Sequence, residues 1–422
     1  MSNVQNLKKT FITEPLLKRF LSYVKIWTTS DSSAADKGIQ PSTERQRDFA
    51  QFLQNELRLM GVNDLTLTKE SYLCARISAE KGYEDCPSVC FLAHLDTVEE
   101  VSGKDVNPLV FSNYDGNPIS LKNGIVLDPD EDSALAQCAG DNIITSDGTT
   151  LLGADDKAGV AAIMTAIDYI LTNKIPHGQI EVIFSPDEET GHGMDHVPIE
   201  WIHSKFCYTV DGGDAGEVEA ECFNACKADV MFEGRAAHTG TARPGMVNAV
   251  TMAAKFLQLL PQQESPETTD GYQGFYAPME VAGHIESAAV ILFLRDFETD
   301  GMSRRIETVK TLAKATEAAF PGGKVTVKVT EQYKNMKDGI MKNPVVMEKL
   351  VQAVKNVGLP VRFVPIRGGT DGSRLTEMGV PTPNIFTGGH NFHSKKEWAS
   401  LSQMTSAVEV ICELVKLWSI EE

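Results

Sequence analysis

Five short stretches of this sequence set histidine or carboxylates beside strand ends and glycines. They are "AHLDTV" with His94 and Asp96, "LLGADDKAG" with Asp155 and Asp156, "PDEETG" with Glu188 and Glu189, "YTVDGG" with Asp211, and "GGHNFHSKKEW" with His390 and His393. Each alone has an ordinary reading. A single HxD is most often a hydrogen-bonded core pair, and paired aspartates before a lysine suit a helix N-terminus, where acids are favoured. Together, imidazole and carboxylate make the ligand set expected for zinc or manganese. Two such ions need about six protein ligand atoms and a shared water, and a bridging carboxylate lowers the number of residues required. Two histidines and three carboxylates would fit.

Two local arrangements add to this. In "HLD" the residues two apart share one face of a strand, so Asp96 can accept the second ring N–H of a metal-bound His94, fixing its tautomer. In "FSPDEETGHG" an extended chain would aim Glu188 and Glu189 to opposite faces, giving two adjacent carboxylates different tasks.

The elements that must position these groups are legible from periodicity. "SVCFLAHLD", "QIEVIFS" and "FCYTVDGG" are continuous apolar strands, and "KAGVAAIMTAIDYILTN" (157–173) is a helix between them. That alternation predicts an α/β domain with a mixed, mostly parallel sheet between helices, and open sheets of this kind bind ligands at strand ends. Leu16, Leu17, Phe20, Leu21, Val24 and Trp27 predict an amphipathic helix over 14–28, and "PSTERQRDFAQFLQNELRLMG" predicts another, with Thr43 and Gln46 as a capping box and Gly61 as its stop. From about residue 222 the order becomes β α β β α β, the ferredoxin-like α+β unit. The reading is therefore a catalytic domain in two parts, 1–221 and 336–422, with a smaller lid domain, 222–335, inserted between them. Residues 112–145 read as a long loop with a hairpin.

Length and charge bound the rest. At 422 residues two domains are the default. The 39 Lys+Arg against 58 Asp+Glu leave a formal charge of −19, which disfavours nucleic acid and anionic membranes as partners. No apolar run reaches membrane-spanning length and no signal peptide is evident, so the expected compartment is the cytoplasm. The eight cysteines are scattered through apolar runs and read as buried free thiols.

Beyond the five motifs, "PSTE", "SGKDVNP", "LLGADDKAGVAAIMTA", "KIPHG", "ESPETTDGYQGFY", "RDF", "YKNM", "PIRGGTDGSRL" and "FTGGHNFHSKKEW" follow one another along nearly the whole chain. In this order the sequence resembles the aminotripeptidases, a branch of the di-zinc exopeptidases of the aminoacylase/carboxypeptidase clan. The resemblance implies an enzyme that releases the N-terminal residue from tripeptides. It implies two divalent ions per subunit, zinc first, with cobalt or manganese as alternatives. His94 and Asp211 would hold one ion, Glu189 and His393 the other, and Asp155 would bridge them; Asp96 would orient His94 and Glu188 would be the general base for an ion-bridging water. A cis peptide is implied at Asp155–Asp156, and a homodimer through the lid domain. His238 in "AAHTGTARPG" matches a small-domain histidine that stabilises the oxyanion in related dimers. Arg367 in "PIRGGTDGS" would suit a peptide carboxylate, and a carboxylate such as Glu267 would meet the substrate ammonium.

Ser394 stands where glycine is common in this family, His390 where tyrosine is common, and the acidic loop 125–140 differs. The first two leave open which histidine is the ligand; His393 aligns with it. The alternatives are another hydrolase of the clan (dipeptidase, carboxypeptidase or N-acyl amino acid amidohydrolase) or a non-catalytic peptide-binding protein on this scaffold, which would have no use for Glu188.

Overall fold

The computed structural model describes residues 3–420. The chain forms two compact units: a large one, Met1–Ala220, Asp338–Val364 and Thr370–Glu422, and a small one, Glu221–Lys337 and Pro365–Gly369. Residues 365–369 join the small unit, apart from the chain on either side of them.

The large unit is built on an eight-stranded sheet. Its order is Asp64–Leu67, Leu73–Ile77, Ile180–Ser185, Val89–His94, Cys207–Gly212, Asn384–Phe386, Glu217–Glu219, Arg362–Phe363. The central strands from Ile180–Ser185 to Asn384–Phe386 run parallel, and antiparallel pairings flank them. The sequence "VCFLAH" and "IEVIFS" is buried at every residue, as a strand covered on both faces requires. Parallel strands end at one edge, so His94 stands opposite Ser185 in the ladder, and the segments after Ser185 and through Asp211 emerge beside it.

One face of this sheet is covered by the helix Ala154–Asn173, which packs on Val89–His94 and Cys207–Gly212 and beneath the helices Asn3–Tyr23 and Leu401–Trp418. Its alanine-rich sequence lets it approach the strands closely. At Gly159 a Cβ would lie 1.8 Å from the Val210 carbonyl and 2.4 Å from Asp156 Oδ1. Gly159→Ala is therefore expected to destabilise the protein by about 2–3 kcal/mol through overpacking, read from the urea midpoint; an unchanged midpoint would show that helix and strand part freely. The other face is covered by Tyr72, Met194, Val197, Leu375 and the partly buried Trp201.

Within residues 112–145 lies the hairpin Ile119–Ser120 with Val126–Leu127. A separate four-stranded sheet, unforeseen from the sequence, orders Gly389–His390, Trp398–Ser400, Ile143–Thr145 and Leu109–Phe111. The small unit places Asn224–Glu233, Ala249–Leu259, Phe275–His284, Ser287–Asp296, Thr299–Ala319 and Lys324–Tyr333 in the order β α β β α β. Its strands form one antiparallel sheet with Asn224–Glu233 and Ser287–Asp296 central. None of the eight cysteines forms a disulfide.

Two local expectations change. The first helix ends at Tyr23, so Trp27 lies beyond it. The helix Glu44–Leu59 has Thr43 at its N-cap without a side-chain capping bond. Thr43 Oγ1 instead donates to the Thr29 carbonyl, and the Gln46 amide reaches Asp187 Oδ1 at 2.6 Å. A long-range acceptor has won over the local box. Among the described residues no helix is long and apolar enough to cross a membrane.

Candidate metal centre

The large unit gathers the sequence motifs at the carboxyl edge of its central strands. His94, only 2% exposed, ends its strand with Nε2 2.8 Å from Asp155 Oδ1 and 3.6 Å from Asp211 Oδ1. Asp155 sits at the start of the long helix, where its peptide bond to Asp156 is cis, and turns its other oxygen to His393 Nε2 at 3.2 Å. His393 Nε2 is also 3.1 Å from Glu189 Oε2. Asp155 is thus the carboxylate that touches both imidazoles. His94, Asp155 and Glu189 offer ligand atoms all within 4.8 Å of one another, as do His94, Asp156 and Asp211. Asp156 is a poorer donor than Asp155, because its two oxygens already accept the backbone N–H groups of His94 and Gly159, each at 3.1 Å.

The turn that carries the two glutamates departs from the extended chain expected for it. The strand stops at Ser185, and Asp187 adopts φ 60°. Asp96 then captures the turn: its Oδ1 accepts the Glu188 N–H at 3.0 Å and its Oδ2 accepts that of Glu189 at 3.2 Å. Asp96 also lies 3.4 Å from His94 Nδ1, but this ring nitrogen makes no hydrogen bond. Its main partners are therefore the two backbone N–H groups. The divergence of Glu188 and Glu189 comes from a pinned turn in place of strand alternation.

Buried residues that the motifs did not single out complete the turn. Asp187 accepts the Ser42 N–H at 2.8 Å, the Ser42 hydroxyl at 2.5 Å and the Gln46 amide, and returns its own N–H to Gln46 Oε1. Asp371, at the start of the helix Asp371–Glu377, accepts the Ser185 hydroxyl at 2.5 Å. Asp187 lies inside "PDEETG" and Asp371 inside "PIRGGTDGS", yet neither partner is near in sequence, so only the folded chain reveals the pairs.

The charges do not balance among the side chains alone. Burial, then repulsion from Asp155, pushes the Glu189 carboxyl up to about 8. Hydrogen bonds to Asp155 and Glu189 push His393 up to about 11. Burial works to lower His94, but bonds to Asp155 and Asp211 hold it well above the ordinary range. Glu189 Oε1 is buried without a hydrogen-bond partner. An unpaired carboxylate oxygen among crowded acids is costly, and a divalent cation satisfies both defects. The donor set of two imidazoles and three carboxylates suits zinc, cobalt or manganese. Glu188 stands apart: among the described residues no side chain hydrogen-bonds its carboxylate. Burial raises its pKa well above the ordinary value, with His94 opposing and Asp211 and Asp371 adding to the rise.

Three other residues find different settings. His390 stacks on Trp398 at 3.9 Å between ring centroids, with Nε2 3.2 Å from Gln403 Oε1; it is a packed ring outside the cluster, whereas His393 meets Asp155 and Glu189. Arg367, in the small unit, is held by its own loop. Its guanidinium donates to the carbonyls of Thr269, Gly271 and Gln273 and to the Thr269 hydroxyl. His238, also in the small unit, is exposed ahead of the turn Thr239–Thr241, and its Nδ1 accepts the Gly240 N–H at 3.2 Å.

Residues 147–417 match the model of Peptidase family M20/M25/M40. The chain is 42% identical over 405 residues to a Peptidase T of Clostridium perfringens, covering 95% of this chain and 98% of the relative. An aminopeptidase PepT from Bacillus cereus superposes with a TM-score of 0.74 at 23% identity, over 97% of this chain and 99% of that one. A tripeptidase from Staphylococcus aureus does so with a TM-score of 0.75 at 22% identity, over 96% and 98%.

Proposed function

The chain belongs to peptidase family M20/M25/M40, and from that membership we propose that it is a metal-dependent aminopeptidase releasing the N-terminal residue from tripeptides. The observation that carries this reading is the convergence of His94, Asp155, Glu189, Asp211 and His393 beside an uncommitted glutamate. His94 and Asp211 would hold one ion, Glu189 and His393 the other, and Asp155 both. Two bound divalent ions, zinc first, would polarise the scissile carbonyl and make water acidic enough to deprotonate near neutral pH.

The protein's own groups do the rest. Glu188 accepts a proton from water and later delivers it to the leaving amine, and its raised pKa suits both halves of that task. Asp96 keeps Glu188 and Glu189 on one pinned turn, so the base stays in register with the ligand beside it. His238 is our candidate oxyanion donor, and Glu267, exposed in the turn Pro266–Thr268, our candidate for the substrate ammonium. The role we give Arg367 is to shape the 269–273 loop. The relatives called Peptidase T and tripeptidase support the tripeptide assignment. The same reading includes a cytoplasmic location and a homodimer through the lid, where Phe275–His284 is an edge strand with Met279 and Val281 exposed.

The substrate claim is tested by comparing free and N-acetylated tripeptides. The free peptide is expected to be cleaved at least about a hundredfold faster, because a site built around a charged amine loses that pairing when the amine is blocked. Equal rates on the blocked peptide would reassign the enzyme to its clan's amidohydrolases.

A further inference from the structure

A buried carboxylate outside the ligand set holds the two ligand-bearing loops together. Glu397 is 1% exposed. Its Oε2 accepts the N–H groups of Leu152 and Gly153, both at 2.7 Å, and its Oε1 accepts the Asp155 N–H at 3.1 Å. These are the residues that deliver Asp155 to the centre. A buried lysine, Lys157, faces Glu397 electrostatically while its Nζ donates to the Ile26 carbonyl at 2.7 Å.

The other end of Glu397 is equally fixed. Its backbone N–H donates to the Ser394 carbonyl at 3.3 Å, closing the turn that follows His393. The next residue, Trp398, is a register partner of both His390 and Thr145 in the small four-stranded sheet. The Trp398 indole and the Asn391 amide both donate to Asp132 Oδ2 at 2.8 Å. The loop bearing His393 is thus pinned on either side of the ligand, and Glu397 reaches from its base to the backbone of Asp155.

We propose that Glu397 is a positioning residue: one carboxylate that sets the separation between the Asp155 and His393 ligand atoms by gripping three N–H groups of one loop from the base of the other. It touches no reacting atom and acts through the Asp155 backbone. The proposal rests on the ligand set given above. A carboxylate suits this place because it only accepts, and three donors converge on it. An amide of the same shape must turn its own NH2 toward at least one of them.

The experiment is a Zn2+ titration of the metal-stripped full-length chain against a chromophoric chelator, for the native protein, E397Q and E397D, at a temperature where circular dichroism shows each folded. E397Q is expected to weaken Zn2+ affinity about 10- to 100-fold, as loss of a ligand-supporting group does, while KM for a tripeptide returns to the native value in excess Zn2+. E397D is too short to span the gap and should weaken affinity in the same direction, so it serves if E397Q does not fold. A native isotherm for a folded variant, even with a lowered Tm, would overturn the role and leave Glu397 a structural residue only. A native protein that binds no Zn2+ would instead overturn the metal centre itself, and this inference with it.

Discussion

Glu188→Gln lowers kcat by about two to four orders of magnitude, the usual contribution of a positioned general base, while the protein retains two metal ions per chain. The geometry separates these two readouts. Glu188 shares a turn with Glu189, but it is the Glu189 carboxylate that meets His393, at 3.1 Å. Glutamine matches glutamate in shape and leaves the Asp96 grip on both backbone N–H groups intact. The loss should therefore fall on turnover, with substrate affinity little changed. The measurement is kcat on a saturating tripeptide beside metal content by atomic emission. Native turnover would remove Glu188 from the mechanism, and loss of metal in the same variant would make it a ligand. Glu189→Ala is the mirror case, since it deletes a donor and should release an ion.

Asp155→Asn is expected to have the widest effect of any ligand substitution. Its two oxygens meet His94 and His393 separately, at 2.8 and 3.2 Å, so one change withdraws a charge from both halves of the centre. An asparagine can offer one neutral oxygen where two anionic ones are needed, and its NH2 would face an imidazole. Activity should fall about a thousandfold or more, corresponding to the several kcal/mol that Lewis-acid stabilisation supplies. Exhaustive chelation of the native enzyme should produce a similar loss, reversed by Zn2+, Co2+ or Mn2+. An Asp155→Asn protein that keeps two ions at native affinity would show that another carboxylate bridges, and Asp156 would be the one to test.

Residues that close an apolar strand are legible in the sequence. His94 and Asp211 follow runs of buried Val, Leu, Phe and Tyr, and parallel strands bring such ends to one edge. The small unit was equally plain, because its strands and helices are long enough for their periods to show. The features without a local signal depend on partners distant in sequence or on strands too short to have a period. Asp96 reaches residues 188 and 189, and Gln46 reaches 187, at the expense of the capping box expected beside it. The sheet behind His393 is made of strands of two or three residues, so nothing in "HSKKEW" distinguishes Glu397 from the charged residues before it. Arg367 was legible as a cation but not as one committed to a loop about a hundred residues earlier.

The lock formed by Ser42, Gln46 and Asp187 bears on how far this protein can be trimmed. Every ligand we propose lies at or after His94, so a truncation that discards the first fifty residues would preserve each of those side chains on paper. It would also remove the Ser42 and Gln46 side chains that hold Asp187 in its left-handed conformation. A fragment of that kind would keep the ingredients of the centre and lose the shape of the turn that tells the base from the ligand.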